Sequence, residues 1–194
     1  MKELKDMSLE ELWQLFPIIL RAHNPEYTTW YDEEKASILY ILYDYHVCRI
    51  NHIGSTSVGG LVAKPIVDIL LELPENYDAR TIANLLQQNG WILMRQEDTQ
   101  KTIDLNKGYT TSGFAEKVYH LHVKPSGDWD ELYFRDYLQE NHNTARQYEM
   151  LKRNLLKQFE HNRDAYTNAK SEFIIENTKK ARLEYGKRYL PSKA

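Results

Sequence analysis

A turn rich in glycine and serine, set between two apolar runs, constrains the fold of this chain more than any other feature. Residues 50–73 read INHIGSTSVGGLVAKPIVDILLEL. Because short apolar runs bounded by glycine and serine are typical of strands, the pattern predicts one strand over residues 47–53 and another over residues 66–73. Between them it predicts a tight turn followed by a short helical turn.

The turn carries donors suited to an anion. Backbone N–H groups that lead into a helical turn bind negative charge, and glycine, which lacks a Cβ, lets a ligand approach the main chain. The candidate phosphate-binding residues of the turn are Gly54, Ser55, Thr56 and Ser57, with Gly59 and Gly60 beside them. Lys64, at the mouth of the second strand, would pair with a phosphate. The alternatives are a purely structural turn and a solvated lysine.

The second strand has two different faces, because side chains alternate along a strand. One face is wholly apolar and consists of Val67, Ile69, Leu71 and Leu73; the other consists of Ile66, Asp68, Leu70 and Glu72. Mg²⁺ often takes one or two carboxylates plus substrate phosphates, so Asp68 beside the turn predicts a divalent cation site. The alternative is an aspartate satisfied by a backbone amide. Glu72 lies about 13 Å farther along the strand and is predicted to lie at the surface.

Later strands add polar groups to the same face. The pattern predicts strands over residues 91–94, 102–106 and 118–124, the last two forming a hairpin around a flexible loop over residues 108–113. His120 and His122 point the same way on a strand, as metal ligands or an acid/base pair require; two partly exposed histidines are the alternative. The predicted cleft floor collects Asp68, Glu72, Asp104, His120 and His122.

Two ways of completing a metal site follow from this face. Asp104 would supply a second carboxylate from a neighbouring strand, giving Asp68, Asp104 and His122 as metal ligands. In the other, His52 joins His120, His122 and Asp68 in an imidazole site for metal-assisted hydrolysis. Considered alone, His52 is more typical of a structural histidine.

Capping signals place the helices. The predicted N-terminal caps are Ser8, Thr28 or Thr29, Asp78, Thr144 and Asp164, and a further helix is predicted over residues 132–140. Adjacent residues do not face each other on a helix, so Arg135 is predicted to reach the cleft rather than pair with Asp136. Lys170, on a later helix, is a second candidate phosphate-binding residue. For both Arg135 and Lys170 the alternative is a plain salt bridge. The basic tail over residues 185–194 is predicted to fray.

Composition limits the classes of protein. The 194 residues fit one domain over residues 1–194, with a core at about 28–125 and C-terminal helices at about 129–188. The net charge of −3 argues against a general nucleic-acid coat. The single cysteine excludes an intrachain disulfide and a cysteine zinc site. Without a signal peptide or a membrane-spanning apolar run, a cytoplasmic protein is predicted; the oligomeric state is left open.

A series of motifs carries a resemblance to a known family. The stretch HIGSTSVGGLVAKPIVDILL is followed by YHLHV at residues 119–123, FRDYL at 134–138, YEMLK at 148–152, and DAY at 164–166 with Lys170. Together these motifs resemble the GrpB family, an uncharacterised group with a nucleotidyltransferase fold. The resemblance spans roughly residues 10–182.

The resemblance implies a mixed α/β fold, in which helices flank the β-sheet of a nucleotidyltransferase-like core with a C-terminal helical extension. It implies that Gly54 and Ser55 hold a triphosphate and that Asp68 binds Mg²⁺ or Mn²⁺. The position two residues later, where such enzymes carry a second carboxylate, is Leu70. Two functions therefore stay open: transfer of a nucleotidyl group to a small acceptor, and a catalytically degenerate module that binds a nucleotide or a coenzyme A-related molecule.

Overall fold

A five-stranded sheet forms the centre of the molecule in a computed structural model that describes residues 2–191. Its strands are β1 (Arg49–Ile53), β2 (Val67–Leu73), β3 (Ile92–Glu97), β4 (Thr102–Thr110) and β5 (Gly113–Pro125). They lie in the order β1-β2-β5-β4-β3. Only β2 and β5 run parallel, and the other neighbours are antiparallel. The mixed sheet expected from the resemblance is therefore confirmed.

Helices cover both faces of the sheet. They are α1 (Leu9–Leu15), α2 (Glu26–Ile41), α3 (Ala79–Gln88), α4 (Asp130–Glu140), α5 (His142–Phe159), α6 (Arg163–Asn168) and α7 (Ser171–Tyr185). The capping box of Ser8 and Glu11 forms as predicted, and so does the Asp78 cap. No helix among the described residues is long and apolar enough to cross a membrane.

The two faces of β2 behave as the alternation predicts. The row of Val67, Ile69, Leu71 and Leu73 is at most 1% exposed and packs in the largest core cluster, under α2 and α3. On the opposite face Leu70 is fully buried in a smaller cluster with Ile53 and Leu132 of α4. Asp68 lies on that second face and keeps a partly exposed side chain.

Four element boundaries differ from the prediction. Helix α2 begins at Glu26, ahead of Thr28, because the Asn24 side chain accepts a hydrogen bond from the Glu26 N–H. Helix α5 begins at His142, so Thr144 lies inside it. Asn162, rather than Asp164, caps α6, and a break at residues 169–170 separates α6 from α7. Helices α2, α5 and α6 therefore each begin ahead of the predicted cap.

The predicted flexible loop over residues 108–113 is instead the tip of a hairpin. Strand β4 continues through Thr110 and β5 starts at Gly113. Gly108 has a φ of +88°, and a Cβ there would collide with the backbone of Lys117, so glycine permits a bulge within the ladder. The small polar residues therefore mark strand irregularity rather than a loop.

The C-terminal tail is packed rather than frayed through residue 191. Tyr189 donates to the Asp136 carboxylate, and Arg188 forms ion pairs with Asp136 and Glu140. Residues 192–194 lie outside the described part of the chain. The tail is held because its basic and aromatic side chains meet two carboxylates of α4.

The prediction that Glu72 lies at the surface is wrong. Its side chain is fully buried, and both carboxylate oxygens bind Arg49 on β1, at 2.6 and 2.7 Å. The Gly127 N–H donates to the same carboxylate at 3.1 Å. Since Arg49 lies opposite Glu72 in the β1–β2 register, this pair ties the edge strand to the sheet.

Replacing Glu72 with glutamine is expected to lower the free energy of unfolding by about 3 kcal/mol, because it leaves Arg49 without its bidentate partner. Chemical denaturation measures the loss. Glu75→Gln, an exposed neighbour just beyond β2, is the control and should change stability by less than about 0.5 kcal/mol. Equal effects of the two substitutions would contradict a stabilising role for the pair.

Candidate functional site

The turn and Asp68 converge on one cleft. Gly54 follows β1 with a φ of +70°, and a short 3-10 turn, Ser55–Ser57, comes next. A Cβ built on Gly54 would lie 3.0 Å from both Cβ and Cγ of Asp68, and closer still to Oδ2. The cleft beside them has a volume of about 560 Å³, within the range of small-molecule sites.

The hydroxyls of the turn have different tasks. Ser57 Oγ donates to the Gly54 carbonyl at 2.6 Å, and Thr56 Oγ1 donates to the Ile66 carbonyl at 3.1 Å. Thr56 lines the cleft but is 2% exposed, and Ser57 does not line it. Ser55 is the turn hydroxyl at the cleft that faces another helix, where it accepts from Lys152 Nζ of α5 at 3.0 Å.

Asp68 and His120 form the first polar pair of the cleft floor. They are direct neighbours in the β2–β5 register, and His120 Nδ1 lies 3.1 Å from Asp68 Oδ1. His120 Nε2 contacts the Tyr109 hydroxyl at 2.8 Å, and that oxygen accepts from Arg163 at 3.0 Å. Burial lowers the pKa of His120 despite the neighbouring carboxylate. Burial opposes ionisation of Asp68, but the contacts with His120 prevail and lower its pKa.

His122 and Asp104 form the second pair. His122 Nδ1 lies 2.8 Å from Asp104 Oδ1, and Asp104 also pairs with Arg95 at 3.0 Å. Burial disfavours the imidazolium, but the hydrogen bond that His122 donates to Asp104 and the charges of Asp68 and Asp104 outweigh it and raise the pKa of His122. His122 lines the cleft, and its Nε2 makes no hydrogen bond within residues 2–191. A histidine fixed at Nδ1 by a carboxylate is arranged to exchange a proton at Nε2.

Four basic side chains line the same cleft and form its cationic wall: Lys64, Lys152, Arg163 and Lys170. Within the described part of the chain none of them forms an ion pair, although Asp68 and Asp164 also line the cleft. Burial, reinforced by the neighbouring cations, lowers the pKa of Lys64 to about 7, of Lys152 to about 7 and of Lys170 to about 8. Several positive charges with too few negative partners make an anion site.

Lys152 and Arg163 were missed by the sequence analysis. Lys152 is 3% exposed and donates to Ser55 Oγ and the Val62 carbonyl. A signal for it exists, since Lys152 stands at i+4 from Tyr148 and i−3 from Leu155, within the buried stripe of α5. A lysine inside an apolar stripe requires a polar partner. Arg163 offers no comparable signal, because it opens a short helix at an unpredicted boundary.

Two tyrosine rings contact lysines of the cationic wall. Lys152 Nζ lies 4.7 Å from the Tyr148 ring centroid, and Lys170 Nζ lies 4.6 Å from that of Tyr166. Tyr166 is 1% exposed, yet its hydroxyl has no hydrogen-bond partner in the described chain. A buried hydroxyl without a partner is uncommon in proteins, and this one borders the cleft.

Several predicted site residues lie elsewhere. Arg135 does not reach the cleft: its guanidinium pairs with Asp136 at 2.7 Å and donates to the Tyr189 hydroxyl at 2.9 Å. The inference that adjacent residues do not pair was wrong here, because the long Arg135 side chain folds back along its own helix to Asp136. Gly59 and Gly60 are exposed and do not line the cleft.

The two predicted metal-ligand sets are not assembled. Among residues 2–191 no three histidine, cysteine, aspartate or glutamate side chains converge as ligands of one ion. His52 Nε2 contacts Thr56 Oγ1 at 3.0 Å, its ring stacks on Tyr31, and burial lowers its pKa to about 4. Asp104 lies behind His122 and does not line the cleft. The imidazole site for hydrolysis is therefore wrong, and Asp68 is left as the carboxylate next to the turn.

Sulfate binding is expected to weaken about tenfold between about pH 6.5 and about pH 9. An anion stabilises the charged lysines, so the folded protein takes up protons on binding, and affinity falls as those lysines lose their protons. Sulfate does not itself titrate in this window. Calorimetry in buffers of different ionisation enthalpy measures the uptake.

Lys152→Met should flatten this pH dependence and weaken binding. The same substitution removes a group whose pKa is depressed in the folded state. The free energy of unfolding of the wild type, relative to that of the variant, should therefore increase as pH rises from about 7 to about 10. Lys157→Met, an exposed position on α5, is the matched control. A pH-independent affinity for sulfate would contradict the lysine site.

Comparisons with known proteins agree with this architecture. A family model described as "GrpB protein" matches residues 17–180. The "Glutamate-rich protein GrpB" of Alkalihalophilus pseudofirmus is 33% identical over 164 residues, covering 82% of this chain and 92% of the relative. A UPF0157 protein of Pseudomonas aeruginosa is 36% identical over 126 residues, or 64% of this chain, which spans about half (52%) of that relative's length.

Two solved structures are similar. The crystal structure of conserved protein GrpB from Enterococcus faecalis has a TM-score of 0.73 at 27% identity, covering 86% of this chain and 99% of the other. The Cid1 poly(U) polymerase, solved with Mg and 3'-dATP, has a TM-score of 0.50 at 10% identity, covering 83% of this chain and 51% of the other. The second likeness shows a shared nucleotidyltransferase-like fold.

Proposed function

The chain belongs to the GrpB family, and from that premise we propose that it binds a nucleoside triphosphate and transfers the nucleotidyl group to a small acceptor. The observation that carries the proposal is the convergence of Lys64, Lys152, Arg163 and Lys170 on the turn that holds Ser55. Phosphates are the ligands that suit several cations and main-chain N–H groups in one cleft. We propose a cytoplasmic location as well, since a nucleoside triphosphate is available there.

The polyphosphate lies between the turn and the cationic wall in this proposal. Lys152 already bonds Ser55 Oγ, so a terminal phosphate there meets a hydroxyl and an ammonium together. Lys170 and Arg163 extend positive charge along the cleft toward His120. Asp68 lies beside the same turn, where its charge would repel a bare phosphate. In this proposal the cations hold the leaving phosphates, and the reacting phosphorus lies near Asp68 and His122.

A divalent cation fits the donors only in part. Asp68 offers one carboxylate, and Mg²⁺ or Mn²⁺ would complete its coordination with phosphate oxygens and water. The second carboxylate position is Leu70, which is fully buried against Ile53 and Leu132, so a two-ion arrangement does not fit. When bound, the cation would neutralise phosphate charge that Asp68 otherwise repels.

His122 is the proposed proton acceptor. A hydroxyl or amine of the acceptor attacks the α-phosphorus, the bond from that phosphorus to the bridging oxygen breaks, and pyrophosphate leaves. The proton of the attacking group passes to His122 Nε2, while Asp104 stabilises the imidazolium formed. The neighbouring carboxylates raise the pKa of His122 above its ordinary value, which makes the imidazole a stronger base. His120 holds Asp68 in place.

A non-catalytic module that binds a nucleotide or a coenzyme A-related molecule is the second candidate. The buried Leu70 favours it, because an isobutyl group cannot bind a metal ion. Both candidates use the same cationic wall, so phosphate binding does not separate them. Turnover and the dependence of binding on metal do.

The experiment that tests the proposal follows pyrophosphate release from labelled nucleoside triphosphates. The purified chain is incubated with Mg²⁺ or Mn²⁺ and a panel of hydroxyl and amine acceptors. Labelled product and pyrophosphate should appear in equal amounts. Binding without turnover, undiminished by a chelator, would reject transfer in favour of the binding module.

His122→Gln is expected to lower turnover about 100-fold while leaving nucleotide affinity within about threefold of wild type. Glutamine keeps a hydrogen bond to Asp104 but accepts no proton from the acceptor. His46→Gln, an exposed histidine outside the cleft, is the control. A matching loss of affinity in His122→Gln would show that the residue binds ligand rather than moves a proton.

A further inference from the structure

A second cavity adjoins the phosphate cleft at the turn and at Asp68. Its volume is about 640 Å³, and it shares Gly54, Ser55, Asp68, His122 and Tyr148 with the cleft. The two cavities therefore meet at Asp68 and His122, where the transfer proposed above would occur. Lys64, Lys152, Arg163 and Lys170 do not line the second cavity, so a ligand there would approach the reacting phosphorus from outside the cationic wall.

The walls of this second cavity are partly apolar. Trp129, Phe134 and Ile174 line it, and all three are partly buried. Thr178 of α7 also lines it and is 5% exposed. The Thr178 hydroxyl has no hydrogen-bond partner in the part of the chain that the structure describes. An apolar wall with one unsatisfied hydroxyl is typical of a small-molecule site.

The charge of the second cavity is opposite to that of the cleft. Its two cations are neutralised: Lys124 pairs with Glu131 at 2.5 Å, and Arg182 pairs with both Asp128 and Asp130. With Asp68 included, four carboxylates face two cations. An anion therefore finds no unpaired partner here, whereas an ammonium would be attracted by the surplus carboxylates.

We infer that the second cavity binds the acceptor, and that the acceptor is a small cationic amine or amino alcohol with an apolar part. The inference rests on the proposed function for the role of the cavity and on the cavity itself for the chemistry of its ligand. Two cavities of opposite charge that meet at one histidine keep the triphosphate and the acceptor apart until they react.

A matched pair of probes tests the charge preference. Tyramine and 3-(4-hydroxyphenyl)propionate share a phenol and a two-carbon chain but carry opposite charges. Titration followed by methyl NMR is expected to show tyramine binding at about millimolar affinity, with shifts at Ile174 and Thr178. The anionic probe should bind at least about fivefold more weakly, and saturating inorganic triphosphate should not displace tyramine.

Glu131→Gln should lower the ratio of the affinity for tyramine to that for the anionic probe about threefold, because it removes a carboxylate and leaves Lys124 unpaired. Glu149→Gln, which also breaks a pair with a basic neighbour but lies outside this cavity, should leave the preference unchanged. Equal binding of the two probes, absence of tyramine binding, or displacement by triphosphate would overturn the inference.

The same titration separates this inference from the proposed function. Triphosphate that fails to bind while tyramine binds would reject the nucleotide cleft and leave the amine cavity standing. Triphosphate that binds without any binding of tyramine would reject the acceptor assignment alone.

Discussion

Gly54→Ala is expected to weaken inorganic triphosphate binding at least 100-fold and to destabilise the protein by about 2 kcal/mol or more. Two causes act together. A φ of +70° strains any residue that carries a Cβ. The added methyl also meets Asp68 Cβ and Cγ at 3.0 Å, so either the turn or the carboxylate must move. Movement of the turn displaces its main-chain donors and Ser55 from Lys152, which breaks up the phosphate site.

The same stretch of chain supplies the controls that separate the two causes. Gly60 has a φ of +75° with nothing within 4 Å of a built Cβ, and Gly59 has neither feature. Gly60→Ala should therefore lose about 1 kcal/mol through strain alone and retain binding. Gly59→Ala should resemble wild type. Calorimetric titration and thermal unfolding of the three variants measure both effects, and retained binding in Gly54→Ala would disprove the close approach of turn and Asp68.

The parts of the site that depend on local sequence were predictable. Alternation along β2 determines the face of the strand on which Asp68 lies. The glycine and serine pattern before β2 predicts the turn beside Asp68. The same alternation places His120 and His122 on the polar face of their strand, whereas their pairing with Asp68 and Asp104 depends on strand register. Local periodicity is sufficient wherever a strand presents its side chain directly to the cleft.

Partners from distant segments were not predictable by the same means. Glu72 was assigned to the correct face, but its burial depends on Arg49 across the β1–β2 pair, and strand register is not visible in the alternation. Arg135 was expected in the cleft, but Tyr189 of the tail and adjacent Asp136 hold it. The cationic wall depends on how α5, α6 and α7 pack, which no single segment encodes.

Asp68→Asn is expected to lower turnover at least 1,000-fold, and its effect on binding should change sign with the metal. Without metal, removal of a negative charge beside four cations should strengthen triphosphate binding about threefold. With Mg²⁺ present, wild type should bind more tightly than the variant, because only a carboxylate holds the cation against the phosphates. Asparagine preserves the shape of the side chain, so the fold should be retained.

This change of sign distinguishes the two candidate functions. In a binding module that has lost its chemistry, Asp68→Asn should raise the affinity for the nucleotide with and without Mg²⁺, since the carboxylate only repels the ligand there. In an enzyme that needs Asp68 for a divalent cation, the same substitution should raise the affinity without metal and lower it with Mg²⁺. Affinities for the same nucleotide, measured by calorimetry with Mg²⁺ and with a chelator, give the answer. Asp98→Asn, at an exposed position beyond β3, should show neither effect.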